Sequence, residues 1–265
     1  MTAVLARGLD LLASLGEDLG GEATVAELAR AVGLPASTAY RYVAVLRRAG
    51  LLEEGERPGS VRIGLRLIAL AWNAPPRRIT ALARPVMEAL SNATGETVLL
   101  IEPFGTQAIC TERVESREAV RLAFEKGRVL PLHAGASVRA LLAFSPPALL
   151  QAVLAGELRR FTPATITDPA ALAENLEAVR QAGYAWSDSE MDPGVSALAM
   201  PVCGGGRYAQ ASLSVTGPSF RLTRQRASAH LLALRQAVEA LDEALGRNRL
   251  RRGRRPADGG GEDAG

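Results

Sequence analysis

The chain has 265 residues, a length typical of one large domain or two ordinary ones. Hydrophobic residues make up 48% of the chain, enough for a buried core, and no apolar run reaches the roughly 18 residues of a membrane span. The net charge of +3 equals the excess of six Arg over three Asp or Glu in residues 247–265, so it is no evidence by itself for nucleic-acid binding.

Three helices and a hairpin are predicted in residues 1–63. Apolar spacing predicts a first helix over residues 3–15, and the Thr24-x-x-Glu27 capping box starts a second. Gly33 and Pro35 suit a turn that leads into a third helix, which we expect over residues 35–49. Two short strands, 51–54 and 60–63, then form a hairpin. This order is that of a winged helix-turn-helix, the first part of a predicted α+β protein.

The third predicted helix carries side chains suited to the major groove of DNA. Hydroxyls and unbonded amides in its first turn can hold a phosphate, and an arginine one turn later can reach guanine or phosphate. An ordinary three-helix domain with a solvated surface is the alternative, but the capping box, turn and hairpin together favour DNA binding. The candidate DNA-binding residues are Ser37, Thr38, Tyr40, Arg41 and Tyr42 on the helix, with Arg57 and Arg62 on the hairpin.

A short apolar helix is predicted after the hairpin, within residues 64–76. Pro75 and Pro76 end it, because proline cannot continue the helical hydrogen bonds. A lone domain could not easily cover its apolar stripe, so we interpret this segment as a linker helix that pairs two chains. The stripe consists of Leu65, Ile68, Ala69 and Trp72.

Residues 77–246 alternate between helical and strand patterns, which predicts a second domain. Residues 247–265, basic and then rich in glycine and acid, are predicted to be disordered. Helices are expected at 77–93, 137–144, 168–183 and 224–246, and strands at 97–102, 108–113, 119–124, 196–202 and 209–216.

Catalytic, metal and cofactor sites are not predicted. His133, Ser137 and Asp188 are a conceivable triad, but no nucleophile-elbow sequence surrounds the serine, and we interpret His133 as structural. No His, Cys or carboxylate group has metal-ligand spacing. Cys110 and Cys203 lack a partner motif and are expected to be buried strand thiols. Because no signal peptide is evident either, we expect a cytoplasmic protein without membrane contact.

Residues 25–43 resemble the helix-turn-helix of the IclR family of bacterial regulators. The family core reads Leu-Pro-Lys-Ser-Thr-x-x-Arg-Leu. Ala36 replaces the common lysine, which removes one expected phosphate contact, and Tyr42 replaces the common leucine. The matching residues are Leu34, Pro35, Ser37, Thr38 and Arg41.

Three later segments, 127–143, 183–202 and 213–218, are similar in the same order to that family's second domain. The resemblance covers the chain to residue 245 and implies a GAF-like α/β domain around an antiparallel sheet, which binds a small effector, often an organic acid. By position it implies an effector site at Leu122, Leu130, Ala136, Ser137, Ser187 or Asp188, Ala197, Ser214 and Thr216.

Three features of this second domain leave the implied effector site open to another interpretation. From the residues alone, the polar side of strand 211–216 would simply face water. Arg139 and Val138 replace the family's usual lysine and glycine, and Arg139 either holds a carboxylate or lies on the surface. Ala197 stands where some relatives have a polar or sulfur side chain, which favours a different or more apolar effector.

Two functions remain from the sequence. The first is a transcriptional regulator that binds a pseudo-palindromic operator in double-stranded DNA as a homodimer, or as a tetramer of paired dimers, and that changes operator affinity when an effector binds. It would act as a repressor or an activator. The second is a GAF-like ligand-binding or catalytic protein whose winged helix mediates protein contacts.

Overall fold

The computed structural model describes residues 2–17, 21–73, 77–122 and 124–253. The chain divides into two compact units, Met1–Pro76 and Arg77–Gly265. None of the helices among the described residues is both long and apolar enough to cross a membrane.

The first unit has helices packed on a small antiparallel sheet. Its core is formed by apolar faces of the first three helices, with Leu11, Leu28 and Val43 among the buried side chains. Strand β3 lies between β1 and β2. The elements are α1 (Thr2–Glu17), β1 (Glu22–Thr24), α2 (Val25–Ala31), α3 (Ala36–Arg48), β2 (Leu52–Glu54), β3 (Ser60–Ile63) and α4 (Leu65–Asn73).

The predicted capping box is present at the start of α2. The Thr24 hydroxyl accepts a hydrogen bond from the Glu27 amide at 3.3 Å, and the Glu27 carboxylate accepts one from the Thr24 amide at 2.7 Å. Gly33 has φ +63°, the left-handed conformation expected of it, and Pro35 then precedes α3. These local contacts fix where α3 begins, and thereby which of its faces is exposed.

The second unit is built on an antiparallel sheet of six strands in the order β6-β5-β4-β9-β8-β7. Helices α5 and α9 pack on one face, against a core that includes Leu213 and Val215. Helices α6 and α8 pack on the other face, with Leu99 and Ala197. The elements are α5 (Arg78–Thr94), β4 (Thr97–Phe104), β5 (Gln107–Val114), β6 (Val129–Pro131), α6 (Ala136–Ala143), α7 (Pro147–Leu154), α8 (Pro169–Ala182), β7 (Ala185–Asp188), β8 (Val195–Val202), β9 (Ala211–Pro218) and α9 (Arg224–Gly253).

Several predicted elements differ from the structure. The strand predicted over 119–124 is wrong, because the described residues there form bends and coil, and β6 is the strand that pairs with β5. Strands β1, β6 and β7 and helix α7 were not predicted at all. Helix α9 continues to Gly253 rather than ending at 246, and the rest of the predicted disordered tail lies outside the described residues.

Candidate nucleic-acid interface and ligand pocket

Helix α3 buries one face and presents the other to solvent. Ala39, Val43 and Leu46 are buried in the core of the first unit. On the outer face Tyr40 is 59% exposed, and Ser37 and Arg41 are exposed as well. The arrangement follows from helical periodicity, and it leaves a hydroxyl, an aromatic ring and a cation on one surface.

The cation on this surface, Arg41, has no carboxylate partner within the described part of the chain. Its guanidinium lies over the ring of the half-buried Tyr42, 5.7 Å from the ring centroid. The first turn of α3 has fewer free amides for a phosphate than predicted, because the Thr38 amide already donates to the Pro35 carbonyl at 3.0 Å. An anion at this end would therefore meet the Ser37 side chain and the earlier amides of the helix.

The two hairpin arginines are held by carboxylates of the same unit. Arg57 donates through its backbone amide to a carboxylate oxygen of Glu22, and through Nη2 to the Glu22 carbonyl, both at 2.8 Å. Hydrogen bonds from the Ser60 hydroxyl and the Arg57 amide lower the pKa of Glu22 to about 2. Arg62 donates to Glu53 at 2.9 Å. Both arginines are partly exposed, but their charge is already matched, unlike that of Arg41.

A pocket lies at the start of α6, between that helix and the sheet of the second unit. We call it the α6 pocket. Leu99 of β4, Ala197 of β8 and Thr216 of β9 contribute the sheet side of its lining, and Ala136 and Ser137 contribute the helix side. It contains about 480 Å³ of space not filled by atoms, part of which opens to solvent.

Most of the site residues implied by the resemblance line this pocket. Ser214 does not: it is fully buried, and its hydroxyl accepts a hydrogen bond from that of Ser137 at 2.9 Å. Asp188 is exposed and accepts hydrogen bonds from Ser196 and Ser219, with the bond from Ser219 chiefly lowering its pKa. The residues of that group that do line the pocket are Leu122, Leu130, Ala136, Ser137, Ser187, Ala197 and Thr216.

Sequence reasoning missed the lining that comes from the loop after β7. Glu190, Met191 and Asp192 belong to it. The family pattern contains an acidic residue at the position of Glu190, and this could have marked Glu190 as a site residue. Nothing in the spacing, however, showed that its carboxylate would bond to α6.

Hydrogen-bond donors gather at one end of the α6 pocket. The Gly135 amide donates to Glu190 at 3.1 Å, and the Ala136 amide donates to the Ser187 hydroxyl at 2.9 Å. The next amides of the helix, at Ser137 and Val138, make no hydrogen bond to any of the described residues. The Thr216 hydroxyl is buried and likewise unpartnered. Since unmet polar groups are unfavourable in a buried site, this end suits a ligand that accepts hydrogen bonds.

The polar side of β9 faces the protein interior rather than water. Ser212, Ser214 and Thr216 are all buried, and the Ser212 hydroxyl donates to the carbonyl of Ser137 at 2.7 Å. The expectation of a solvated face, which rested on the residues alone, was therefore wrong. Helix α6 covers that face and uses two of its three hydroxyls.

Arg139 is an interior residue, with 1% of its surface exposed, and not the surface residue that the sequence also allowed. Its Nη1 is ion-paired with Glu190, and its Nη2 donates to the Trp186 carbonyl at 2.6 Å. The Thr165 hydroxyl donates at 2.7 Å to the carbonyl of Glu190, which holds that loop in place. The pair joins α6 to the loop after β7 from inside the protein.

The conceivable triad does not form. His133 bonds through Nε2 to the Arg159 carbonyl at 2.9 Å, as expected for a structural histidine, while Ser137 and Asp188 bond to other partners. Within the described residues, no three His, Cys, Asp or Glu side chains are grouped to hold a metal.

The two cysteines differ in exposure. Cys110 is buried, and burial raises the pKa of its thiol to about 12. Cys203 is only partly buried, contrary to the prediction, and burial again raises its pKa. A raised pKa keeps both thiols protonated near neutral pH and so disfavours a nucleophilic role.

Substitution Arg139→Met is expected to lower the free energy of unfolding by about 3–5 kcal/mol, because it leaves the buried Glu190 carboxylate without its cation. The double variant Arg139→Met/Glu190→Gln removes both charges and should recover most of that loss. Urea unfolding followed by circular dichroism gives the values. Arg121→Met, which breaks an exposed pair with Glu115, is the control and should cost less than about 1 kcal/mol. A double variant no more stable than the single one would contradict the assigned pairing.

Comparison with known families matches both units of the chain. Residues 4–56 match the family described as "IclR helix-turn-helix domain", and residues 75–243 match "Bacterial transcriptional regulator IclR C-terminal". The transcriptional repressor AllR of Escherichia coli strain K12 is 31% identical over 244 residues, which cover 91% of this chain and 90% of AllR. AllR of Salmonella typhimurium is equally similar, with 89% of its length covered.

Solved structures give the same result. A protein of Silicibacter sp. TM1040, assigned to the IclR transcriptional regulators, is 34% identical with a TM-score of 0.79, and the match covers 92% of this chain and 96% of that one. An IclR homologue of Microbacterium hydrocarbonoxydans in complex with 4-hydroxybenzoate is 30% identical with a TM-score of 0.74, over 92% and 99% of the two chains. These matches favour a regulator over the alternative of a catalytic or protein-binding GAF-like module. The chain belongs to the IclR family and is a DNA-binding transcriptional regulator with a C-terminal effector domain.

Proposed function

We propose that this regulator reads its operator through the outer face of α3 and that a small organic acid bound in the α6 pocket controls operator affinity. The observation that carries the proposal is a set of donors that make no hydrogen bond within the described residues: the Ser137 and Val138 amides at the start of α6 and the buried Thr216 hydroxyl of β9. A carboxylate would satisfy them, since helix N-terminal amides attract anions.

The proposal assigns a separate role to each segment of the chain. Residues 1–63 bind DNA, residues 64–76 form the linker helix, and residues 77–246 hold the effector. Because an IclR regulator acts on bacterial DNA, we expect it to work in the cytoplasm. The carboxyl-terminal residues 247–265 have no role in this scheme.

For DNA binding, Arg41 is the residue most available for base or phosphate contact, because no carboxylate in the described part of the chain neutralises it. We assign Ser37 and Thr38 to phosphate contact, and Tyr40 and Tyr42 to the flanks of the reading surface. The internally paired Arg57 and Arg62 support the hairpin and contact the DNA backbone only at its edge. Base readout is therefore assigned to the helix, and orientation on the backbone to the hairpin.

On the effector side, the lining sets the ligand's size and polarity. Apolar walls from Leu99, Leu122 and Leu130 suit a hydrocarbon or aromatic body, and the α6 end suits its carboxylate. The Microbacterium homologue described above was solved with 4-hydroxybenzoate, an aromatic acid of this type. We therefore choose that compound as a first probe.

Substitution Arg41→Ala is expected to weaken operator binding by about 1–3 kcal/mol, roughly five- to 150-fold, because it removes a cation that has no carboxylate partner among the described residues from the reading surface. Fluorescence anisotropy on the intergenic DNA upstream of the gene, against a scrambled duplex of equal length, measures the effect across a salt series. Arg47→Ala is the matched control, because Arg47 lies on the same helix but already pairs with Glu54. Equal losses in both variants would remove Arg41 from its reading role.

Substitution Thr216→Val is expected to weaken 4-hydroxybenzoate binding by about 1 kcal/mol, a factor of roughly five to ten, because the ligand loses one hydroxyl partner. Unfolding stability should stay the same or rise, since that hydroxyl has no hydrogen-bond partner among the described residues. Isothermal titration calorimetry and thermal unfolding provide the two readouts. Thr106→Val, in the exposed turn after β4, is the control. Unchanged binding by Thr216→Val would speak against this placement of the ligand.

We also propose a homodimer joined through α4, with tetramers formed by pairing of dimers. The supporting observation is the apolar surface of that helix: Leu65 is 70% exposed and Leu70 is 58% exposed. Of the predicted stripe, Ala69 is exposed and Ile68 half-buried, while the Trp72 side chain lies outside the described residues. Two reading helices paired in this way would match a pseudo-palindromic operator, and effector binding would change operator affinity through their relative placement.

The dimer proposal predicts that Leu65→Glu lowers the sedimentation coefficient, because an added charge on each chain opposes burial of the stripe. The control Asn73→Glu places the same charge at the polar end of the helix and should sediment as the unmodified chain does. Analytical ultracentrifugation at micromolar concentration separates the outcomes. If the unmodified chain sediments as a monomer, α4 is not a dimer interface.

A further inference from the structure

A second cavity lies beside the α6 pocket, between α6, α8, β7 and the first residue of α9. It contains about 730 Å³ of space not filled by atoms, including the part open to solvent. We call it the α8 cavity. Its lining consists of Arg139, Asn175, Ala178, Val179, Ala182, Tyr184, Trp186, Glu190 and Arg224. Because Glu190 lines the α6 pocket as well, its pair with Arg139 lies where the two cavities meet.

The wall of the α8 cavity contains two polar atoms whose hydrogen bonds are not made. Arg139 is 1% exposed, and its Nε has no partner although both of its terminal nitrogens do. The Oδ1 of Asn175 is also buried and unpartnered. Both atoms belong to residues that line the cavity, so an occupant that displaces these side chains slightly can reach them. An occupied cavity would therefore relieve two unfavourable groups at once.

The charge of the lining favours an anion. The Arg139 and Glu190 charges offset each other, which leaves Arg224, an exposed side chain without an ion pair in the described part of the chain. Arg224 also begins α9, and the amino-terminal end of a helix attracts negative charge. The partly buried side chains of Tyr184 and Trp186 also line the cavity and add apolar surface.

We infer that the α8 cavity is a second ligand site, which takes a small aromatic or other planar carboxylate. The carboxylate lies toward Arg224 and the Nε of Arg139, and the body of the ligand lies against the two rings. A side-chain amide rotation lets Asn175 donate to the same carboxylate.

The shared wall couples this site to the α6 pocket. Glu190 accepts hydrogen bonds from both Arg139 and the Gly135 amide at the start of α6. A carboxylate that draws Arg139 toward the α8 cavity weakens its hold on Glu190, and so changes the charge presented to a ligand in the α6 pocket. Occupation of one site then alters affinity at the other, and thermodynamic linkage makes the effect reciprocal.

The two tryptophans of the chain allow a direct test on the full-length protein, with benzoate as the probe. In protein labelled with 5-fluorotryptophan, the ¹⁹F resonance of Trp186 should shift saturably as benzoate is added. Ala178→Phe, which fills the α8 cavity, should abolish that shift. Ala173→Phe is the matched control, because Ala173 is exposed on the same helix and outside the lining, and it should retain the shift. Leu122→Phe, which fills the α6 pocket, should retain it as well.

A second variant, Arg224→Gln, tests the site independently in case Ala178→Phe loses the shift because it misfolds. It should weaken the Trp186 response by roughly two- to five-fold, as expected for one exposed charge. A Trp186 resonance that does not respond, or that responds equally in Ala178→Phe, overturns the second site. A response abolished by Leu122→Phe but not by Ala178→Phe also overturns it, because the signal then comes from the α6 pocket.

The inference builds on the proposed effector function, but the two fail in different ways. Loss of benzoate-dependent operator binding in Leu122→Phe, with no Trp186 response in any variant, supports the α6 effector site and overturns the second site. A Trp186 response that only Ala178→Phe abolishes, with operator affinity indifferent to benzoate, supports the second site and contradicts an organic-acid effector of this type.

Discussion

The buried ion pair between Arg139 and Glu190 is the interaction on which the effector domain depends. Removing a guanidinium and a carboxylate from water is costly unless each meets the other and additional hydrogen bonds. The structure meets this requirement with the Trp186 carbonyl on one side and the Gly135 amide on the other. As a result, the start of α6, strand β7 and the loop after it are fixed relative to one another, and residues of all three line the α6 pocket.

The same requirement, that buried polar groups form hydrogen bonds, explains how serines and a threonine can lie inside the domain. Ser137 and Ser214 bond to each other, and Ser212 donates to a carbonyl of α6, so helix and sheet are joined by hydrogen bonds within an otherwise apolar layer. Thr216, on the same face of β9, is left without such a partner. Since a buried hydroxyl is rarely left unmatched, its position in the pocket wall is the feature most consistent with a bound ligand.

Local signals predicted much of this fold, and non-local ones account for what was missed. The capping box at Thr24 and the positive φ of Gly33 depend on residues a few positions away, so the order of helices in the first unit followed from the sequence. Strand β7 and the burial of Arg139 depend on partners far along the chain. The sequence also left Ser187 and Asp188 as alternatives. Neighbours in a strand point to opposite faces, so the choice needed the pairing of β7 with β8.

A ligand can regulate DNA binding only through a difference in its affinity for two conformations of the protein. A ligand that contacted only the apolar walls of the α6 pocket would bind the two conformations with similar affinity. In the proposed function Glu190 would supply that difference, because it lines the pocket while its partner Arg139 lies within α6 and donates to a backbone carbonyl of β7. An exchange of hydrogen bonds at Glu190 on ligand binding would therefore change how the helix is held against the sheet. A buried pair has few alternative arrangements, so even a small ligand can favour one of them, and the α6 helix is the element most directly affected.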